Sequence, residues 1–258
     1  MLNTKQSYLF LLLTLLLSLP FYYWGVVAPV NGLPFDLPIS FLMIFVPFTL
    51  SLVFARRNGI QISSLFSRIF DAKQAALWAG LFSVFCMPVV VTVSFFLMRL
   101  FSLPLPKTLT FPVNEIPFMI LLYFIGAIPE EFGWTLMLTK GFAKAYGVVI
   151  AGTIIGSVWA LWHVIPWSWA HPISWIIGMC ALNILMRIGM VHAFVHGGES
   201  LSYALVFHTM INISFGLFPN SGSHTNPWIM ALIMVPILLG FRKIFPITKV
   251  LPSNPSML

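Results

Sequence analysis

Apolar residues in this chain fall into long runs, separated by short polar or proline-bearing breaks. A helix rises about 1.5 Å per residue, so about 20 apolar residues cross a hydrocarbon layer of about 30 Å. That ruler predicts eight spanning helices, near 8–29, 38–55, 74–98, 116–138, 146–167, 172–191, 200–218 and 228–241. The breaks suit the placement. NGLPFDLP (31–38) is a proline and glycine turn, SLPLPKTLTFPVNEIP (102–117) a proline-rich loop, and FPNSGSHTNP (218–227) a polar turn. RRNGIQISSLFSRIFDAK (56–73) reads as a basic segment with an amphipathic helix lying at the membrane interface.

Basic residues orient these spans. With the amino terminus on the cytoplasmic side, the inner segments hold Lys5, Arg56, Arg57, Arg68, Lys73, Lys140, Lys144, Arg187, Arg242, Lys243 and Lys249. The outer segments hold Arg99 and Lys107, so the split of the thirteen is eleven to two. That bias predicts both termini inside. The first run, from Lys5 to Val26-Val27-Ala28, loosely resembles a signal peptide. It exceeds the apolar core of about 7–15 residues in such peptides, so a retained helix is expected.

Composition agrees. Hydrophobic residues make up 59% of the 258 and charged residues 7%, against about 25% charged in soluble domains. The expected fold is an all-α polytopic bundle of about eight transmembrane helices, forming a single integral membrane domain over 1–258. The net charge of +7 sits at the ends of apolar runs, with no basic stripe interleaved with aromatics. The expected surroundings are therefore lipid bilayer and not nucleic acid. Cys86 and Cys180 fall within apolar spans and imply no disulfide framework.

Against this background GAIPEEFGW (126–134) stands out, because Glu130 and Glu131 are two of only six acidic residues. They lie nine or ten residues before Lys140, about 14–15 Å from the inner end and near mid-bilayer. An acid at that depth costs about 2.5–3.5 kcal/mol on insertion scales and marks a functional site by default. The bland alternative pairs each carboxylate with a cation from another helix. Pro129 just before them donates no backbone hydrogen bond and is expected to kink the helix.

Three more polar residues fall in spans. They are His163 in WALWHVIPW and, in FHTMINIS, His208 and Asn212 at i, i+4 on one face. Gly152 and Gly156 form a small-xxx-small pair, and Trp159 and His163 continue the same stripe. His163 therefore sits on a packing face. A carboxylate away from bulk water is a competent general base, imidazole can hold water or shuttle a proton, and N–H groups of imidazole and carboxamide can stabilise an oxyanion. Glu130, His163, His208 and Asn212 supply that set.

The order Glu130-Glu131-Phe132-Gly133-Trp134, then Trp159 through His163, then His208 through Asn212 resembles the CPBP family of intramembrane endopeptidases, which includes the type II CAAX prenyl proteases. The likeness covers about residues 117–216. It implies an eight-helix fold with a conical cavity open to the cytosol and lipid. Glu130 would activate water with His163, His208 and Asn212 would form an oxyanion hole, and Glu131 would be a supporting acid. The substrate implied is a membrane-associated or lipidated peptide. The resemblance leaves two mechanisms open: a zinc ion on Glu130, His163 and His208, or water driven by glutamate with no cofactor. Two departures stand out. The arginine of the family's EExxxR is Thr135 here, so Arg187 or Lys140 is expected to supply the cation for Glu131. Trp159 replaces the usual phenylalanine.

Other readings follow from the same residues. The chain could be an inactive scaffold, regulator or immunity protein of the same fold, or a proton-coupled transporter relaying through Glu and His. His192 and His196 have metal-friendly spacing, but Ala193 stands where the zincin glutamate belongs. They are expected to be polar residues at an inner helix end. His171 and His224 are expected to be solvated near outer loops, and Trp24, Trp167, Trp169 and Trp228 to sit in the interfacial belt. Short loops point to a bacterial cell membrane.

Overall fold

All regular structure among the described residues is helical. The structure, a computed structural model, describes residues 2–27, 39–71, 77–220, 222 and 224–244. The expected turn at 31–38 and the basic residues Lys73 and Lys249 lie outside them. In chain order the helices are α1 (Thr4–Tyr22), α2 (Phe45–Arg57), α3 (Ile62–Ser67), α4 (Leu77–Leu100), α5 (Ile116–Glu131), α6 (Thr139–Tyr146), α7 (Val148–Trp167), α8 (Ile173–His196), α9 (Leu201–Leu217) and α10 (Pro227–Ile244).

Seven helical stretches among the described residues are long and apolar enough to cross a membrane. The seventh expected span, α9, is shorter at 17 residues. The chain is thus a multi-pass integral membrane protein built as a helical bundle. Two boundaries differ from expectation. The fourth span continues through a π-helical segment, Phe132–Met137, into α6, making one stretch of 34 residues. The sixth continues to His196, which leaves His192 and His196 at the inner end of α8, as expected. α3 is the short helix expected between the second and third spans.

Contacts between connecting segments separate the two ends of the bundle. At one end the Gln6 amide donates to Asn58 at 3.0 Å, Lys140 pairs with Glu199 at 3.2 Å, and Arg68 donates to the Glu199 carbonyl at 2.6 Å. At the other, Thr110 donates to Asn220 at 2.9 Å and the Trp175 indole to the Thr225 carbonyl at 3.1 Å. The first end gathers segments assigned to the inside by charge. The second gathers those assigned to the outside.

Glycines set how closely the helices bearing polar groups approach. A Cβ on Gly152 would lie 2.6 Å from the Ile188 Cα, and one on Gly156 would lie 2.9 Å from both the Ile184 Cα and the Arg187 Cβ. The small-residue stripe of α7 therefore seats directly on the α8 backbone, as small residues allow where dispersion drives helix association. Gly133, in the π segment, would meet the Pro47 Cβ at 2.5 Å. That close seat holds the segment against α2. α1 braces α7 from behind: the Trp162 indole donates to Ser18 at 2.7 Å, and the Tyr22 hydroxyl donates to the Trp162 carbonyl.

Candidate active site

Two neighbouring carboxylates close α5, and their environments are opposite. Glu131 is fully buried and saturated. Arg187 of α8 donates to its two oxygens at 2.7 and 3.1 Å, Thr135 donates one turn along, and the His208 Nδ1 lies 2.7 Å away. Glu130 instead lines a cavity of about 440 Å³ and accepts one hydrogen bond, from the Trp159 indole at 2.9 Å. Adjacent helix positions point about 100° apart, which is how one acid faces the packed interior and its neighbour faces open space.

The backbone permits this because α5 changes winding there. Pro129 lies inside the helix and the π-helical turns begin at Phe132. Proline removes an i→i−4 bond, and π turns are frequent at functional sites. Every residue from Glu130 through Thr139 is buried, so the segment that follows the acids packs tightly.

Thr135 occupies the arginine position of the EExxxR pattern, and the cation arrives from another helix. Arg187 also donates to the Thr135 hydroxyl at 3.3 Å, and its guanidinium stacks 4.1 Å above the Trp159 ring. Of the two cations expected as partners for Glu131, Arg187 is the one present. Lys140 pairs with Glu199 instead.

Both imidazoles reach the same cavity as Glu130, together with Asn212. The His163 Nδ1 lies 2.8 Å from the Trp159 carbonyl. A carbonyl can only accept, so Nδ1 carries the proton and Nε2 the lone pair. The His208 Nδ1 likewise donates to the Glu131 carboxylate. His163 is held in place by the Trp162 ring edge-on at 5.0 Å and the Trp167 ring stacked at 5.1 Å. The structure thus brings Glu130, His163, His208 and Asn212 onto one void, while Glu131 lies behind its wall.

Several residues outside the expected set complete the site. Trp159 is a hydrogen-bond donor to Glu130, a role phenylalanine cannot fill; its indole N–H was the signal in the sequence. Asn183, one turn before Arg187 and lining the cavity, is buried, and its side-chain amide nitrogen has no protein partner. His171 differs from its expected setting. His171 is half-buried, stacked on Trp175 at 3.6 Å, and both it and Trp167 line the cavity. Burial holds the His171 imidazole below its ordinary pKa. His192 and His196 stand apart, packed edge-on against Phe241.

Among the described residues, no group of three or more His, Cys, Asp or Glu side chains is placed to hold a metal ion. The donor set of Glu130, His163 and His208 that zinc would need is therefore not assembled.

Residues 112–214 match the family model described as type II CAAX prenyl endopeptidase, Rce1-like. The match contains every residue of the cavity cluster named above. No curated protein matches the chain.

Proposed function

We propose that the chain, whose residues 112–214 match the Rce1-like type II CAAX prenyl endopeptidase model, is an intramembrane endopeptidase acting on a membrane-associated or lipidated peptide. In this reading the whole chain serves as one membrane-embedded unit. Glu130 and His163 activate the attacking water. The supporting observation is the division of labour between the two acids: Glu131 is consumed by Arg187, Thr135 and His208, while Glu130 faces the cavity shared with both histidines.

The proton path follows from the hydrogen bonds. Water bound between the Glu130 carboxylate and the His163 Nε2 lone pair gives a proton to Glu130 as its oxygen attacks the scissile carbonyl carbon. The developing oxyanion accepts from the Asn212 carboxamide and the His208 Nε2–H. For His208 to donate there while Nδ1 donates to Glu131, the ring must carry both protons. Two ionised glutamates, Arg187 and a doubly protonated His208 sum to zero charge, which suits a site within a span. Collapse of the tetrahedral adduct breaks the C–N bond, and Glu130 returns its proton to the leaving amine.

Thr135 at the arginine position of EExxxR leaves Glu131 without a cation from its own helix. Arg187 supplies that cation from α8, which favours the enzyme. The test is cleavage of internally quenched peptides by the purified protein beside Glu130→Gln and His163→Ala. Both variants are expected to lose about 10²-fold or more, the range general acid–base groups supply, while unfolding as the parent does. Cleavage undiminished in both would refute the assignment.

A further inference from the structure

The cavity's lining reaches one end of the bundle. Its lining runs from Glu130 and Met186 up to Trp167, His171 and Trp175 at the α7–α8 turn and to Thr225 before α10. Toward the other end the way is closed. Residues 130–139 and 189–194 are all buried, and Gly152 and Gly156 bring α7 onto α8 without a gap.

The open end lies opposite the basic residues. Lys5, Arg56, Arg57, Arg68, Lys140, Lys144, Arg242 and Lys243 belong to segments at the closed end, and only Arg99 and Lys107 to those at the open one. Lys and Arg are retained on the cytoplasmic side of a bilayer. We infer that the cavity takes its substrate from the non-cytoplasmic side, and that this substrate is an extended, uncharged segment of an exported or externally anchored peptide. That reverses the cytosolic opening the family resemblance implies, and for its substrate it rests on the protease reading.

The rim and walls fit such a segment. No Lys or Arg lines the cavity, and Glu130 is its one carboxylate. Trp167, Trp175 and a neutral His171 form the rim, with Met179, Ile211 and Phe215 below. A free carboxyl terminus would find no cation there, so an internal stretch of chain is favoured. Glu130 lies fourteen residues from the start of α5, about 21 Å by helical rise. An extended chain covers about 3.3 Å per residue. About six residues therefore reach from the membrane surface to the acid.

The test uses full-length protein with Cys86→Ala and Cys180→Ala. Single cysteines replace Ala170, exposed beside the rim, or Lys144, exposed at the basic end. A membrane-impermeant maleimide applied to intact cells is expected to label Ala170→Cys and to leave Lys144→Cys unlabelled, with the pattern exchanged in inverted vesicles. The opposite pattern overturns the inference. In parallel, an internally quenched apolar peptide is added outside sealed vesicles. Right-side-out vesicles are expected to cut it, and inverted ones only after detergent. Cutting by sealed inverted vesicles overturns the inference and leaves the protease standing. No cutting in detergent removes the protease reading, and labelling still decides which side the cavity faces.

Discussion

The Arg187 guanidinium on α8 and the Glu131 carboxylate on α5 form a two-pronged ion pair, 2.7 and 3.1 Å, with both side chains fully buried. Removing one partner of such a pair leaves an uncompensated buried charge, at a cost of about 3–5 kcal/mol. Arg187→Met is expected to lower stability by that amount and to abolish cleavage, while Arg187→Lys, lacking the fork, recovers only part. Adding Thr135→Arg to Arg187→Met returns a cation to Glu131 from one turn away, and is expected to raise the unfolding temperature above that of Arg187→Met alone. Equal unfolding temperatures would show that position 135 cannot stand in for Arg187.

Helix spacing is predicted to control that pair. Gly156→Ala would set a methyl 2.9 Å from both the Ile184 Cα and the Arg187 Cβ, forcing α8 outward. Overpacking costs about 1–3 kcal/mol, and here the displacement also loosens Arg187 from Glu131. Gly240→Ala on α10 meets nothing within 4 Å and is the matched control. Thermal unfolding in detergent should separate the two, with the control unchanged or slightly stabilised.

Trp159→Phe isolates one hydrogen bond. The ring under Arg187 is retained, and the indole N–H that donates to Glu130 at 2.9 Å is lost. Hydrogen bonds to charged groups contribute about 1.5–3 kcal/mol. The variant is expected to stay folded and to lose kcat/KM by about 10–100-fold, through a freely rotating Glu130. A loss confined to KM would instead make Trp159 a substrate-contact residue.

The helices were legible because the bilayer imposes a length, and among the described residues each of the eight runs recurs as a helix. Their ends were less so. Lys140 reads as a terminus, yet Phe142 and Ala143 are buried and carry the fourth stretch onward to Tyr146. The gathering of Glu130, His163, His208 and Asn212 was readable from polar residues in apolar runs. Which cation serves Glu131 was not, since it depends on α7 and α8 touching. Gly152 and Gly156 show that α7 packs closely without naming the partner. Nor could spacing foresee that Glu131 would be walled off, because which of two adjacent acids faces the packed interior depends on where Arg187 of α8 and His208 of α9 meet α5.

His208 and Asn212 are expected to fail differently from Glu130. His208 spends Nδ1 on Glu131 and lines the cavity, so His208→Ala removes a structural bond and a proposed oxyanion donor together. It should lower both unfolding temperature and rate. Asn212→Leu removes one proposed oxyanion donor, and loss of such a donor costs about 10²–10³ in kcat with little change in KM. Donors that act on one oxyanion are strongly non-additive, so the double variant should lose less than the product of the single losses. Single-turnover cleavage of one peptide by all three variants measures this. If Asn212→Leu raises KM and spares kcat, the carboxamide binds the ground state, and the oxyanion must be held by His208 alone.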